Sequence, residues 1–159
     1  MRLIALSDTH SEALPKPLLE DIKKSDLVIH VGDFCDMEAY QKLKQLKEIR
    51  SVYGNMDGVD LRGIMPRKAI FMCEKVAVGL IHGEGIGDMV LDRVRAAFKG
   101  ERVNVVVFGH SHQPCHEEID GVLYLNPGSP TDTVRAPYLS YGVLDISGDM
   151  VKGHIVRIK

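Results

Sequence analysis

The stretch LIALSDTH at residues 3–10 decides the fold class. Its apolar part, Leu3–Leu6, is too short for a helix and suits a strand that is covered on both faces. Asp8 and His10 follow this run almost at once. Polar side chains that can bind a metal are therefore expected where the first strand ends.

The same succession recurs four more times along the chain. Short apolar runs are again followed by polar residues: Leu27–Val31 by Asp33, Ser51–Tyr53 by Asn55, Val76–Ile81 by His82, and Val103–Phe108 by His110 and His112. Helical patterns lie between the runs, at Pro17–Lys24, Asp36–Glu48 and Asp88–Phe98. Alternation of strand and helix predicts βαβ units around a largely parallel sheet.

The last third of the chain has a different pattern. Asp120-Gly121 separates two short apolar runs within Ile119–Leu125, and Ser147-Gly148-Asp149 joins Leu139–Ile146 to Met150–Ile158. Such turn residues between apolar runs indicate β-hairpins. We therefore expect an antiparallel C-terminal part, which would form a second sheet packed on the first.

Composition narrows the class of protein. The 159 residues suit one domain, 1–159, and the formal net charge is −2. No basic stretch is interleaved with aromatic residues, so we expect no nucleic-acid-binding surface. The apolar runs are too short for a membrane span or an export signal, and a cytoplasmic location is expected.

The scattered Cys35, Cys73 and Cys115 indicate neither a disulfide framework nor a thiolate zinc site. A homo-oligomer remains possible.

The seven polar residues form a plausible set of metal ligands. In open α/β sheets the ligand crevice lies at the carboxyl ends of the strands, where all seven occur. Two carboxylates, four imidazoles and an amide are too many ligands for one ion and suit two. Residues i and i+2 of an extended segment point to one side, so Asp8 with His10, and His110 with His112, can act as pairs. Nitrogen and oxygen donors without sulfur favour Mn, Fe, Zn, Ni or Co over Ca or Mg alone, and we expect manganese first with magnesium still possible.

Each residue alone has a simpler explanation. An Asp after a strand is usually a turn or helix cap, and a lone buried histidine is usually structural. Only the coincidence of all seven at one edge favours a metal site. His30, His116 and His154 are interpreted as structural, although His30 could support a ligand. Arg62, Arg67 and Arg135 could contact a phosphate, but a solvated surface position is the simpler interpretation. The GEGIG stretch at residues 83–87 lacks the spacing of a dinucleotide-binding turn.

These segments together resemble the calcineurin-like metallophosphoesterase superfamily. Its pattern D-x-H, G-D, G-N-[HC]-[DE], H-G and G-H-x-H is matched here, in that order and except at Met56, at residues 8–10, 32–33, 54–57, 82–83 and 109–112. Asn126-Pro127-Gly128-Ser129 is similar to a segment of the small prokaryotic phosphodiesterase branch, which shares its fold with the retromer subunit. The resemblance implies a four-layer α/β/β/α sandwich with two packed mixed sheets.

The resemblance also implies roles. Asp8, His10, Asp33 and His112 would hold one divalent metal ion, and Asp33, Asn55, His82 and His110 the other, with Asp33 shared. Asp33, Asn55, His82 and His110 would act in catalysis, and a metal-bridging hydroxide would attack phosphorus. The expected substrate is a small phosphodiester, with a phosphomonoester second. The alternative from another class is a non-catalytic metal-binding scaffold for protein interaction, like the retromer subunit.

Met56 is where the sequence departs from this pattern. Many relatives have a histidine there, paired with the following acid, that is thought to protonate the leaving group. A thioether cannot transfer a proton, so we expect a preference for aryl leaving groups. Introducing a histidine beside Asp57 would supply the acid, unless Met56 merely packs the floor of the pocket.

Overall fold

The computed structural model describes all of residues 1–159, which form ten strands and four helices. In chain order the elements are β1 Arg2–Leu6, α1 Lys16–Lys24, β2 Leu27–His30, α2 Met37–Leu46, β3 Ile49–Ser51, α3 Val59–Ile64, β4 Lys68–Cys73, β5 Val76–Ile81, α4 Met89–Ala97, β6 Val105–Val107, β7 Cys115–Ile119, β8 Val122–Asn126, β9 Ser140–Ser147 and β10 Met150–Arg157. None of the helices is long and apolar enough to cross a membrane.

The strands form two five-stranded mixed sheets. The first has the order β10-β9-β1-β2-β3, in which β1, β2 and β3 are parallel and the hairpin β9–β10 is antiparallel to β1. The second has the order β4-β5-β6-β8-β7, in which β5, β6 and β8 are parallel and the two edge strands are antiparallel to their neighbours. Parallel strands therefore lie at the centre of both sheets.

Alternation of side chains along the strands builds three apolar layers. In β1, Leu3 and Ala5 pack between the two sheets, whereas Ile4 and Leu6 pack against the helices on the outer face of the first sheet. Helices α1, α2 and α3 cover that face. Val94 and its neighbours in α4 cover the outer face of the second sheet. The predicted four-layer α/β/β/α sandwich with two mixed sheets is confirmed.

The C-terminal part does not form the second sheet by itself, as its pattern had suggested. Both predicted hairpins are present, but β7–β8 joins the second sheet and β9–β10 returns to the first. The return places Leu3 beside Leu144 in the ladder and continues the apolar layer between the sheets. The second sheet takes its central strands β5 and β6 from the middle of the chain.

Two elements were missed and one was misplaced. The missed strand β4 is an edge strand whose outward positions carry apolar Ile70 and Met72, so its sequence shows no alternation. The missed helix α3 has six residues, too few for a helical period to show. Strand β3 spans Ile49–Ser51, two residues earlier than the predicted Ser51–Tyr53, and the Tyr53 N–H instead donates to the Pro66 carbonyl at 3.1 Å.

The layer between the sheets should be the main source of stability. Leu80 is fully buried there, and replacing such a leucine with alanine typically costs ~2–5 kcal/mol. We expect Leu80→Ala to lower the free energy of unfolding in urea by that amount. Val59→Ala, at a side chain that is 90% exposed, is the control and should change it by less than about 0.5 kcal/mol. Similar losses in the two variants would contradict this placement of the core.

Candidate metal centre

The structure brings all seven predicted ligands together at one edge of the two sheets. They lie on the loops that follow β1, β2, β3, β5 and β6. Asn55 Oδ1 lies 3.1 Å from His82 Nε2 and 3.0 Å from His110 Nδ1. On the other side, His10 Nε2 lies 3.3 Å from His112 Nε2. The carboxyl ends of the parallel strands thus meet as the sequence predicted.

The Asp8 carboxylate lies fully buried at the centre of this group. Its Oδ2 accepts hydrogen bonds from the Ser7 hydroxyl and the His110 N–H. Its Oδ1 has no hydrogen-bond partner, although a buried polar atom normally has one. This oxygen faces the Nε2 atoms of three histidines: His112 at 3.2 Å, His82 at 3.8 Å and His10 at 4.0 Å. An unpaired buried oxygen among imidazole nitrogens is the arrangement expected around a bound cation.

Two groups of donor atoms are compact enough to hold an ion. Asp8, His10 and His112 form one, and Asp8, Asp33 and His82 form the other; within each, the donor atoms lie within 4.8 Å of one another. Asn55 joins the second group through His82, and His110 follows through Asn55. Asp8 is common to both groups in the structure, whereas the family resemblance had assigned the shared position to Asp33.

The ligand loops have unusual backbone geometry. Asp8, His10, Asp33, His110 and His112 all have positive φ, between 47° and 70°. This left-handed region is unfavourable for residues with a Cβ, and its use tends to concentrate at functional sites. The expectation that Asp8–His10 and His110–His112 are extended pairs is therefore wrong. Left-handed turns, and not strand alternation, direct these side chains to one side.

Asp57 organises the loops and does not face the ligands. Its buried carboxylate accepts hydrogen bonds from the backbone N–H groups of Asp33, Cys35 and Gly54. The loops pass so closely that a Cβ on Gly54 would lie 2.6 Å from the Asp33 nitrogen. Asp57 thus fixes the neighbouring loops through three backbone hydrogen bonds, a role that the sequence analysis did not predict. The Met56 side chain is 58% exposed, so it does not pack the floor of a pocket.

The end of β8 and the loop after it supply supporting residues whose role the sequence analysis did not predict. The Ser129 hydroxyl donates to the Asp8 carbonyl at 2.8 Å, and the Asn126 amide donates to the Gly109 carbonyl at 3.0 Å. The Asp132 carboxylate is hydrogen bonded to His112 Nδ1. The Asn126–Ser129 motif had been noted but not connected to the ligands. Nothing in the sequence singled out Asp132.

His30 and Cys35 also contact the ligand loops. Buried His30 lies 3.0 Å from the Thr9 hydroxyl, stacks on Phe34 and accepts a hydrogen bond from the Gly32 N–H. Burial lowers the pKa of His30 to about 3, so its ring is neutral. Cys35 Sγ lies 3.2 Å from His10 Nδ1, and burial with nearby Asp33 raises its thiol pKa to about 11. Arg135, by contrast, is exposed.

The ligand cluster strongly favours positive charge. Burial alone would lower the pKa of His82, but its hydrogen bond to Asp33 and the charge of Asp8 outweigh this and raise it to about 9. Burial likewise opposes the charged form of His112, and Asp8 and Asp132 raise its pKa nevertheless. Without a metal ion, protons on these rings balance the buried carboxylates.

The chain matches the calcineurin-like phosphoesterase superfamily domain over residues 1–149. It belongs to that superfamily. A probable metallophosphoesterase of Methanocaldococcus jannaschii is 34% identical, with all of this chain and 82% of the relative covered. A phosphodiesterase of the same organism is 28% identical, with 80% of this chain and 83% of the relative covered. Membership of this superfamily supports the interpretation of the chain as a phosphoesterase that binds divalent metal ions.

A solved structure has the same sandwich fold. Vacuolar protein sorting 29 from Cryptosporidium parvum matches with a TM-score of 0.83 at 22% identity, covering 99% of this chain and 91% of that one. At this identity the match shows the fold alone.

The raised histidine pKa values predict how stability depends on pH. A histidine whose pKa is higher in the folded than in the unfolded protein stabilises the fold. This stabilisation is complete below the pKa of the unfolded protein, near 6.5, and is lost as the pH rises through the pKa of the folded protein. We expect chelator-treated protein to lose roughly 2–3 kcal/mol of unfolding free energy between about pH 6.5 and 9. Urea unfolding at several pH values measures this loss.

His82→Gln should flatten that pH dependence, since it removes the imidazole whose pKa is raised to about 9. His154→Gln, at an exposed histidine on β10, is the matched control and should keep the slope of the parent protein. The same slope in both variants would show that His82 is not the group responsible.

Proposed function

We propose that the chain is a dinuclear metal-dependent phosphodiesterase. The observation that carries the proposal is the buried Asp8 Oδ1, which lacks a hydrogen-bond donor and is surrounded by the Nε2 atoms of His10, His82 and His112. Superfamily membership supports phosphoester hydrolysis. The relative named a phosphodiesterase supports a diester as substrate.

A second observation favours a cation between Asn55, His82 and His110. His82 Nδ1 lies 2.7 Å from the Val31 carbonyl, and His110 Nε2 lies 3.0 Å from the Gly85 carbonyl. These ring nitrogens must carry the hydrogens, because a carbonyl only accepts. The other nitrogen of each neutral ring then turns a lone pair towards Asn55 Oδ1, which is also an acceptor. A metal ion bound by all three would satisfy them, as would a proton on one ring or an Asn55 amide turned so that its NH2 donates.

The seven ligands would divide between two ions. His10 and His112 would hold one, Asn55, His82 and His110 the other, and the carboxylates of Asp8 and Asp33 would serve the pair. Two divalent cations supply positive charge for a phosphate and lower the pKa of water to generate a nucleophile. Manganese is our first candidate, and Zn, Fe, Ni, Co and Mg are the others.

The chain's own residues prepare the site for this chemistry. The Val31 and Gly85 carbonyls select the ring tautomers of His82 and His110, and Asp132 does the same for His112. Asn55 contributes a neutral oxygen, which limits the negative charge that an incoming phosphate must approach. Exposed Met56 can donate no proton, so we expect a preference for leaving groups that depart as stable anions. An aryl phosphodiester is therefore the first substrate to assay.

A non-catalytic scaffold is the second candidate, because vacuolar protein sorting 29 has this fold. A scaffold has no need of the seven convergent donors around a buried carboxylate. Metal content after purification, combined with hydrolysis of bis(p-nitrophenyl) phosphate, distinguishes the two. Protein that binds no metal and hydrolyses no ester would favour the scaffold.

Asp33→Asn should abolish hydrolysis of bis(p-nitrophenyl) phosphate and reduce the bound metal. The substitution keeps the size of the side chain and removes the charge that faces His82 at 3.4 Å. The matched control is Asp36→Asn, because Asp36 caps α2 through its side chain and asparagine caps a helix equally well. Full activity and two bound metal ions in Asp33→Asn would refute the assignment, and metal analysis beside the rate assay measures both.

Asp132→Asn should weaken metal binding without unfolding the protein. Replacing a supporting carboxylate of this kind typically lowers metal affinity ~10–100-fold, because the carboxylate sets the orientation and basicity of the ligating histidine. Titration of Mn²⁺ or Zn²⁺ into chelator-treated protein measures the affinity directly. Asp149→Asn, at an exposed acid in the β9–β10 turn, should bind the metal as the parent does. Equal metal affinity in the parent protein and in both variants would show that Asp132 does not support the metal site.

A further inference from the structure

A cavity of about 800 Å³ opens beside Asn55, His82 and His110. Its volume lies within the range of ~300–1,000 Å³ that is usual for small-molecule sites. A single phosphate group would fill little of it. The cavity therefore has room for an organic group attached to the phosphate that the metal site would bind.

Four basic side chains and one acidic side chain line this cavity. They are Arg62, Arg67, Lys68, Arg93 and Glu84. The whole chain has a formal net charge of −2, so this wall is opposite in sign to the rest of the molecule. The sequence analysis had interpreted Arg62 and Arg67 as surface charges, and the structure places both at the cavity.

Nearby carboxylates do not balance these charges. Lys68 pairs with Glu101 at 3.2 Å. Arg67 and Arg93 share Glu84, at 3.2 Å and 3.8 Å, so one carboxylate serves two guanidinium groups. Arg62 contacts no carboxylate and donates to the carbonyls of Asn55 and Asp57. Two positive charges are left unbalanced at the cavity.

The same contacts place these charges close to the candidate ligands but outside them. Arg62 is hydrogen bonded at 2.8 Å to the backbone of Asn55, whose side chain faces His82 and His110. Glu84, which gathers Arg67 and Arg93, is two residues beyond His82. An anion bound by these arginines would therefore lie beside the candidate metal ligands, in the same cavity.

We infer that this cavity binds a second phosphate of the substrate, so that the preferred substrate is a phosphodiester whose organic group carries a further phosphate. Guanidinium groups suit this role, because their planar donors match phosphate oxygens in pairs. The inference rests on the proposed phosphodiesterase activity and specifies its substrate.

Two chromogenic esters with the same leaving group test the inference. They are thymidine 5′-(p-nitrophenyl phosphate) and the same compound with a phosphate on its 3′ oxygen. With the metal-loaded protein at low ionic strength, we expect kcat/KM to be about tenfold higher for the 3′-phosphorylated ester, mainly through a lower KM. Added salt should reduce that preference, because exposed charges are screened.

Two variants of α4 localise the effect. Arg93→Gln should reduce the preference for the phosphorylated ester severalfold. Arg95→Gln is the matched control, because Arg95 is two residues further along the same helix, pairs with Asp120 and does not line the cavity. It should retain the full preference.

The outcomes separate the two levels of the argument. Hydrolysis of both esters with equal kcat/KM would overturn the second-phosphate site and leave the proposed activity standing. A preference that survives Arg93→Gln unchanged would also overturn the assignment to this cavity. If the metal-loaded protein hydrolysed neither ester, the proposed function would fail and the inference with it.

Discussion

The structure of the site depends on one buried anion, the Asp8 carboxylate, whose Oδ1 has no hydrogen-bond donor. A buried charge without compensation is far more costly than a buried neutral group, so positive charge has to be present beside it. The raised pKa values of His82 and His112 show how protons can supply it. A metal ion would replace those protons, and the same imidazole nitrogens would then serve as ligands.

Holding the donors around this anion has a conformational cost that the rest of the fold offsets. Five ligand residues adopt left-handed backbone geometry, which costs roughly 1–2 kcal/mol for each such residue. Asp57 binds three backbone N–H groups of the neighbouring loops, and Ser129 ties the carbonyl of Asp8 to the loop after β8. The apolar layer between the sheets holds the strand ends from which these loops emerge. The core therefore maintains a site that would not be stable by itself.

Sequence alone predicted the convergence of the ligands because it depends on topology, and topology follows from short apolar runs that alternate with helical patterns. It did not predict how the ligands are directed, since left-handed turns at Asp8 and His110 leave no periodic signal. Contacts between distant loops were equally invisible: Asp132 meets His112 only after β8 has entered the second sheet next to β6. Asp57 was misjudged for a related reason. Its position after Asn55 and Met56 suggests a catalytic partner, whereas in the structure its carboxylate accepts three hydrogen bonds from backbone N–H groups.

The charge distribution bears on the choice between a catalyst and a scaffold that share this fold. A chain of net charge −2 with clustered carboxylates would repel a phosphate at long range, and its metal ions would have to overcome that field. The arginines beside Asn55 and Glu84 oppose the field on the side where the cavity opens. A surface that only docks a partner has no need of a deep cavity with unbalanced positive charge next to buried acids. Their adjacency is what attraction and retention of an anionic substrate would require, and the basic side chains come from α3, α4 and the residues around the start of β4, not from the Asp8 and Asp33 loops.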